Sequence, residues 1–161
     1  MRLKTFQRLT RVAQWETEGE LRAEWRYVPS GMHVGYQAMV EAMARAGVDT
    51  QGRPPMWAWS GELTLLDATM LLDPEHDLSQ GYATVEFSAP AELAVTSDYG
   101  PWNDFLAETL TGGTAAWEIS SEPPAEEPRQ VCLPYLRSEW IHEVRPLPTS
   151  GWDAIDLSAP A

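Results

Sequence analysis

Apolar and polar positions alternate along parts of the chain, and this period of two predicts β-strands. Residues 2–8 (RLKTFQR) give a first strand, and residues 82–87 (YATVEF) give the clearest one. A short apolar run behind two prolines, residues 56–60 (MWAWS), is typical of a buried strand. Weaker strands are predicted at 93–96 and 130–133, and residues 140–144 form either a last strand or a short helical turn.

A helical period appears most clearly over residues 34–46, where apolar side chains recur at steps of three and four and Gly47 follows as a stop. A shorter helix is predicted from Thr10 to a stop at Gly19, and another over residues 102–110 behind Pro101. The leucine-rich stretch at 63–73 fits a strand or a helix equally well.

The order of these elements decides the fold class. Strands and helices do not alternate regularly, so the pattern favours an α+β domain over a parallel, doubly wound sheet. We expect a mostly antiparallel or split sheet with two to four helices. The 161 residues suit one domain, residues 1–147, followed by an irregular C-terminal tail at 148–161. In that tail only Trp152 and Ile155 are expected to dock.

Charge is unevenly distributed along the chain. The net charge is −13, yet residues 1–53 carry eight basic and six acidic groups, whereas residues 54–161 carry three and eighteen. An acidic protein is a poor binder of the nucleic-acid backbone, which attracts basic surfaces. The acid excess serves solubility or, alternatively, a basic protein partner. Residues 121–128 (SEPPAEEP) are predicted to be an acidic, proline-rich loop.

Several classes of protein are disfavoured by what the sequence lacks. No apolar run approaches the ~20 residues that span a bilayer, and the charged start does not resemble a signal peptide. The single cysteine, Cys132, has no partner for an internal disulfide and lies in an apolar stretch, so a buried, inert thiol is expected. We therefore expect a cytoplasmic protein with no membrane contact.

Metal and nucleophile motifs are also weak. Asp73, Glu75 and Asp77 alternate as in a calcium loop, but the glycine and the final glutamate of that loop are missing. The spacing typical of zinc ligands does not occur, and no metal site is predicted. Glu139 and Glu143 flank His142, although spacing alone does not place them in one cleft.

Eight tryptophans stand out in a chain of this length. Trp57 and Trp59 alternate on the predicted strand, so they share one face of the sheet. Two indoles on one face form either a part of the core or the floor of a pocket for a base, a nicotinamide or a sugar.

Scattered motifs over most of the chain resemble an uncharacterised bacterial family, domain of unknown function 3841. They are the opening RLKTFQ with Trp15 and Gly19, the WAW strand at 57–59, SDYGPW at 97–102 and SEWIHEV at 138–144. The resemblance implies a bacterial origin and no particular activity.

A looser resemblance is to the ADP-ribosyltransferase-like fold, on the order of a polar first strand, a helix with its glycine, an aromatic middle strand and a closing hydrophobic return. It implies NAD as a candidate cofactor, positioned by Thr5 and Gln7. It further implies that Trp57, Trp59 and Ser60 line the middle of the site. The resemblance places Gln130 or Glu127 near the position of that fold's catalytic glutamate, with Glu139 as the alternative after the turn.

Asp98 precedes the helix at 102–110 and is either its cap or a further ligand-binding residue.

Taken together, the sequence predicts a pocket lined by tryptophans that binds an NAD-like nucleotide or another small polar ligand, with weak or no transferase activity. The alternative is an acidic protein-interaction module, of the inhibitor or DNA-mimic type, that binds a basic partner surface.

Overall fold

The computed structural model of the chain describes residues 1–113, 117–119 and 128–161. The strands among these residues are β1 (Arg2–Arg8), β2 (Glu20–Leu21), β3 (Met56–Ser60), β4 (Tyr82–Ser88), β5 (Val95–Ser97), β6 (Arg129–Leu133), β7 (Leu136–Arg137) and β8 (Ile141–Pro146). Six of them form one antiparallel sheet in the order β5-β6-β3-β1-β4-β8. The two short strands β2 and β7 pair separately as an antiparallel ribbon.

Four α-helices occur within the described residues: α1 (Leu9–Glu18), α2 (His33–Arg45), α3 (Leu65–Leu71) and α4 (Tyr99–Leu110). Their ends follow from local chemistry. Gly19 ends α1 with a φ of 79°, a left-handed conformation that glycine adopts without a steric penalty. None of these helices is long and apolar enough to cross a membrane.

The stretch that the sequence left open between strand and helix is α3. Its start is fixed by Thr64, whose hydroxyl accepts a hydrogen bond from the backbone N–H of Asp67, while the Asp67 carboxylate accepts one from the backbone N–H of Thr64. This reciprocal capping box satisfies two N–H groups that a helix start otherwise leaves free.

The two faces of the six-stranded sheet carry different side chains. The first face, which bears Leu3 and Val85, is mostly apolar, and α1 and the β2–β7 ribbon cover it. The second face, which bears Lys4 and Trp59, is covered at one end by α2 and α4 and at the other by α3 and the C-terminal segment. The molecule is therefore a single-domain α+β structure with its sheet in the middle layer.

The C-terminal segment is irregular, as predicted, but more of it docks than Trp152 and Ile155. The backbone N–H groups of Leu65 and Leu66 donate to the carbonyls of Ala159 and Leu157, each at 2.9 Å. These contacts hold the segment along the start of α3. Their apolar side chains join the same cluster as Trp59.

Other boundaries differ slightly from the predictions. Helix α4 begins at Tyr99, so Pro101 lies within its first turn, where the missing N–H costs nothing because that turn has no partner for it. Residues 138–140 form a 3-10 turn, and β8 follows directly. Both structures predicted as alternatives for 140–144, a helical turn and a strand, therefore occur in succession. Of the predicted loop at 121–128, residues 121–127 lie outside the described ranges.

Candidate functional site

A row of six side chains crosses the second face from one edge of the sheet to the other. Strand register makes each member the direct neighbour of the next. In the order of the strands, this cross-strand row is Ser97, Gln130, Trp59, Lys4, Glu86 and Glu143. The first five are at most 8% exposed. Charged side chains are almost never buried this deeply without a specific partner, so the row marks a candidate site.

One end of the row, Ser97, Gln130 and Trp59, is closed and satisfied internally. Gln130 Nε2 donates to Ser97 Oγ at 2.6 Å, and Ser97 Oγ lies 3.9 Å from the Cys132 sulfur. Burial raises the pKa of the Cys132 thiol to about 12, so the thiol stays protonated at neutral pH. This closed end supplies neither a nucleophile nor an open contact.

The other end of the row, Lys4 and Glu86, is paired differently. Lys4 Nζ donates to Glu62, whose side chain is 84% exposed. Glu86 accepts from Arg2 Nε, and the Arg2 side chain is 75% exposed. Within the described residues, no ion pair joins Lys4 to Glu86 although they are cross-strand neighbours. Two buried opposite charges are therefore each held by a partner that lies largely in water.

A cleft of about 310 Å³ opens between these groups. Its charged lining comes from four different parts of the fold: β1, the loop after β3, β4 and β8. Gly61 makes the turn that brings Glu62 over the sheet, with a φ of 93°. The charged residues that line this cleft are Arg2, Lys4, Glu62, Glu86 and Arg145.

Three cations converge on one carboxylate in the cleft. The hydrogen bond and charge of Lys4 lower the pKa of Glu62, and the charges of Arg2 and Arg145 lower it further. Arg145 is itself anchored, because its Nη1 donates to the Ala161 backbone oxygen at 2.7 Å and its Nη2 lies 3.4 Å from Glu143. Glu62 thus occupies a place that favours an anion.

The sequence-predicted NAD-positioning residues lie away from this cleft, on the first face. Thr5 Oγ1 donates to the Trp57 carbonyl at 2.8 Å, and Gln7 Nε2 donates to Thr5 Oγ1 at 3.1 Å. The Thr5 hydroxyl therefore completes the contact between β1 and β3. Ser60 belongs to the same face by the alternation of β3.

Trp57 and Trp59 share the second face, as the alternation predicts, and both are packed among other rings. Trp57 lies 5.6 Å from Tyr36 and 5.4 Å from Trp102, measured between ring centroids. Trp59 is 8% exposed and meets Tyr99 edge to face at 5.1 Å. Within the described residues, neither indole lines the 310 Å³ cleft.

The structure does not bring the two predicted catalytic positions together. Gln130 is buried in β6 on the second face, 2% exposed. Glu139 is exposed in the turn before β8, 3.9 Å from Arg137 Nη1, beside the end of α1. Asp98 immediately precedes α4 at its N-cap position, half-buried, and its side chain makes no capping hydrogen bond within the described residues. The roles assigned to these three residues stay predictions, and Glu127 lies outside the described residues.

A larger cavity of about 840 Å³ runs beside α2, where Phe105 and Trp117 form its apolar floor. Its charged side chains, Glu41, Arg45 and Glu118, are all exposed. Exposed charges stay hydrated and orient a ligand weakly, so this cavity offers less chemistry than the cleft. Nowhere in the described ranges do three or more His, Cys, Asp or Glu side chains gather to hold a metal ion.

Sequence reasoning missed four charged residues of the cleft: Lys4, Glu62, Glu86 and Arg145. Lys4 is the lone lysine of the chain and stands in an alternating strand, where a charged residue normally faces water. The one local signal is the pair Gly61-Glu62, a glycine and a charged residue directly after an apolar strand. This pair does not indicate that Glu62 contacts Lys4, which lies 58 residues earlier in the chain.

No family model, no curated protein and no solved structure matches the chain. The resemblances to domain of unknown function 3841 and to the ADP-ribosyltransferase-like fold therefore stay predictions.

Proposed function

We propose that the protein binds a small acidic ligand whose carboxylate or phosphate replaces Glu62 beside Lys4. The observation that supports this function is the pairing of a buried ammonium group, on a side chain 10% exposed, with a carboxylate that is 84% exposed. A buried charge is stabilised by a counterion, and Lys4 lines a cleft in which water or a ligand can take the place of Glu62. Glu62 can be exchanged without opening the fold, because its side chain already lies largely in water.

The size of the cleft favours a metabolite over a dinucleotide. Ligand pockets run from about 300 to 1,000 Å³, and this cleft is near the lower limit. NAD, the nucleotide that the sequence suggested, would place only its charged portion beside Arg2, Lys4 and Arg145. ADP-ribosyl transfer has less support, because Thr5 lies on the face of the sheet opposite Gln130.

The acidic interaction module is the second candidate function. Leu66 and Met70, one turn apart on α3, are 48% and 72% exposed, and residues 54–161 carry the acid excess. An exposed apolar pair in an acidic part of the sequence suits a partner surface that is basic and partly apolar. Binding of this kind weakens as salt is added, because salt screens exposed charges over a Debye length of about 8–10 Å.

The test of the ligand cleft is a titration with propionate, inorganic phosphate, ADP-ribose and NAD, followed by NMR shifts of backbone amides. At least one acid is expected to shift the amides around Lys4 and Glu62. Lys4→Met should abolish that binding, and Glu62→Gln should tighten it, because the internal competitor loses its charge. Arg53→Met, an exposed cation outside the cleft lining, is the control and should bind as the unmodified protein does.

Opposite effects at the two members of one ion pair are hard to produce by damage to the fold. The NMR spectrum shows whether the Lys4→Met variant is folded. If the folded variant binds the same acid with unchanged affinity, the cleft is not the binding site. If none of the four acids shifts any amide near the cleft, the proposed function is wrong.

A further inference from the structure

The cleft contains an acceptor as well as cations. Glu86 lines it with a side chain that is only 8% exposed. Among the described residues, the single hydrogen-bond donor to this carboxylate is Arg2 Nε, which reaches Oε1. A carboxylate accepts about four hydrogen bonds, so Oε2 has capacity to spare.

The spacing of donor and acceptor is set by the sheet. Lys4 and Glu86 are directly opposite each other on β1 and β4, and such neighbours have Cβ atoms about 4.5–5.5 Å apart. An acid group and a donor group on neighbouring carbons of one ligand lie close enough together to meet both side chains.

The charges further restrict the acid group. When Glu62 leaves, Arg2 still pairs with Glu86 and Arg145 with Glu143, so Lys4 alone lacks a counterion. One carboxylate on the ligand supplies that counterion. A carboxylate matches the group it replaces, whereas a dianionic phosphate would bring one charge too many into a partly buried cleft.

We propose that the ligand of this cleft is a small carboxylic acid with a hydroxyl or amino group on the adjacent carbon. Its carboxylate pairs with Lys4 in place of Glu62, and its hydroxyl or ammonium group donates to Glu86 Oε2. This inference rests on the proposed function of the cleft and adds to it the requirement for a donor.

Four probes of nearly equal size test the requirement. Lactate, alanine, propionate and alaninamide differ only in the donor and the acid group, and each is titrated into the full chain by NMR. Lactate, alanine or both should bind at least tenfold more tightly than propionate, and alaninamide should not bind. A preference for lactate over alanine would assign the hydroxy acid, and the reverse would assign the amino acid.

The variant that removes the acceptor completes the test. In Glu86→Met the preference of lactate or alanine over propionate should fall to within about twofold, while propionate binding is retained. Glu86→Gln, which keeps an acceptor oxygen, should retain part of the preference and serves if the methionine variant does not fold.

The outcomes separate this inference from the proposed function. If propionate binds the unmodified protein as tightly as lactate and alanine do, the acidic-ligand function survives and the donor requirement is wrong. If the preference persists undiminished in both Glu86 variants, Glu86 is not the acceptor. Tight binding of alaninamide would overturn the role of the carboxylate.

Discussion

The two ends of the cross-strand row differ in where their buried polar groups find partners. At the closed end, Gln130 bonds to Ser97, and both are at most 2% exposed. At the open end, Lys4 and Glu86 are almost as deeply buried, yet each relies on an exposed side chain from elsewhere in the chain. The sheet and the face are the same, so the difference lies in the partners alone.

That difference separates a structural role from a binding role. A buried pair that satisfies itself contributes to the native fold and offers nothing to a ligand. A buried charge whose partner lies in water is already arranged to exchange that partner. The closed end should therefore respond to substitution through stability, and the open end through ligand binding.

The largest loss of stability is expected in the aromatic cluster that packs beside the closed end of the row. Trp102 is 3% exposed and lies within about 6 Å of four aromatic rings, those of Tyr36, Trp57, Phe105 and Trp117. Trp102→Ala should lower the free energy of unfolding in urea by about 3–5 kcal/mol, because it leaves a cavity. Leu110→Ala, exposed on the same helix, should change it by about 0.5 kcal/mol or less. If the two variants lost the same free energy of unfolding, the aromatic cluster around Trp102 would not be the stabilising element.

A smaller loss of stability is expected at the buried pair itself. Gln130→Leu should cost about 1–3 kcal/mol, since Ser97 then loses its donor in a dry environment. Adding Ser97→Ala should restore most of that stability, because removing both polar partners is nearly neutral. Urea unfolding of the two single variants and the double variant measures this coupling. Strictly additive losses would mean that the pair does not act as a unit.

The smallest effect is expected at the exposed partner of Lys4. The pKa of Glu62 is lower in the folded chain than its ordinary value, so its ionised form stabilises the fold above about pH 4.5. That contribution is lost as the pH falls through the lowered pKa. The melting temperature of Glu62→Gln should lie slightly below that of the unmodified protein at pH 7, and the gap should close in acid.

Glu16→Gln, exposed on α1, is the matched control for this charge removal. A gap that persists unchanged below the pKa of Glu62 would show that the ion pair with Lys4 is not its source. Added salt should also reduce this difference in melting temperature, because salt screens exposed charges. A difference that does not change with salt would likewise show that the ion pair is not its source.

Much of the fold follows from local sequence. The alternation at residues 2–8 predicts β1, the helical period at 34–46 predicts α2, and the alternation of Trp57 and Trp59 correctly places both on one face. The ambiguity of α3 could have been resolved, because Thr64 and Asp67 form the capping-box spacing that announces a helix start.

The cleft could not be predicted in the same way, because it depends on register between distant strands. Lys4 becomes the neighbour of both Trp59 and Glu86 only when β1 pairs on each side with later segments. A shift of one residue would turn Lys4 to the first face. Local patterns do not contain that information, so Lys4 and Glu62 gave no signal of a site.

The central place of β1 has a consequence for how the chain folds. This strand is made before its sheet partners, Met56–Ser60 and Tyr82–Ser88, which follow some fifty and eighty residues later. Contacts between such distant segments are costly in loop-closure entropy, and folding rates fall as their share rises. During synthesis the apolar side chains of Leu3 and Phe6 therefore remain unpaired until β3 and β4 have been made. We therefore expect slow refolding from a sheet whose central strand pairs only with segments that follow much later in the chain.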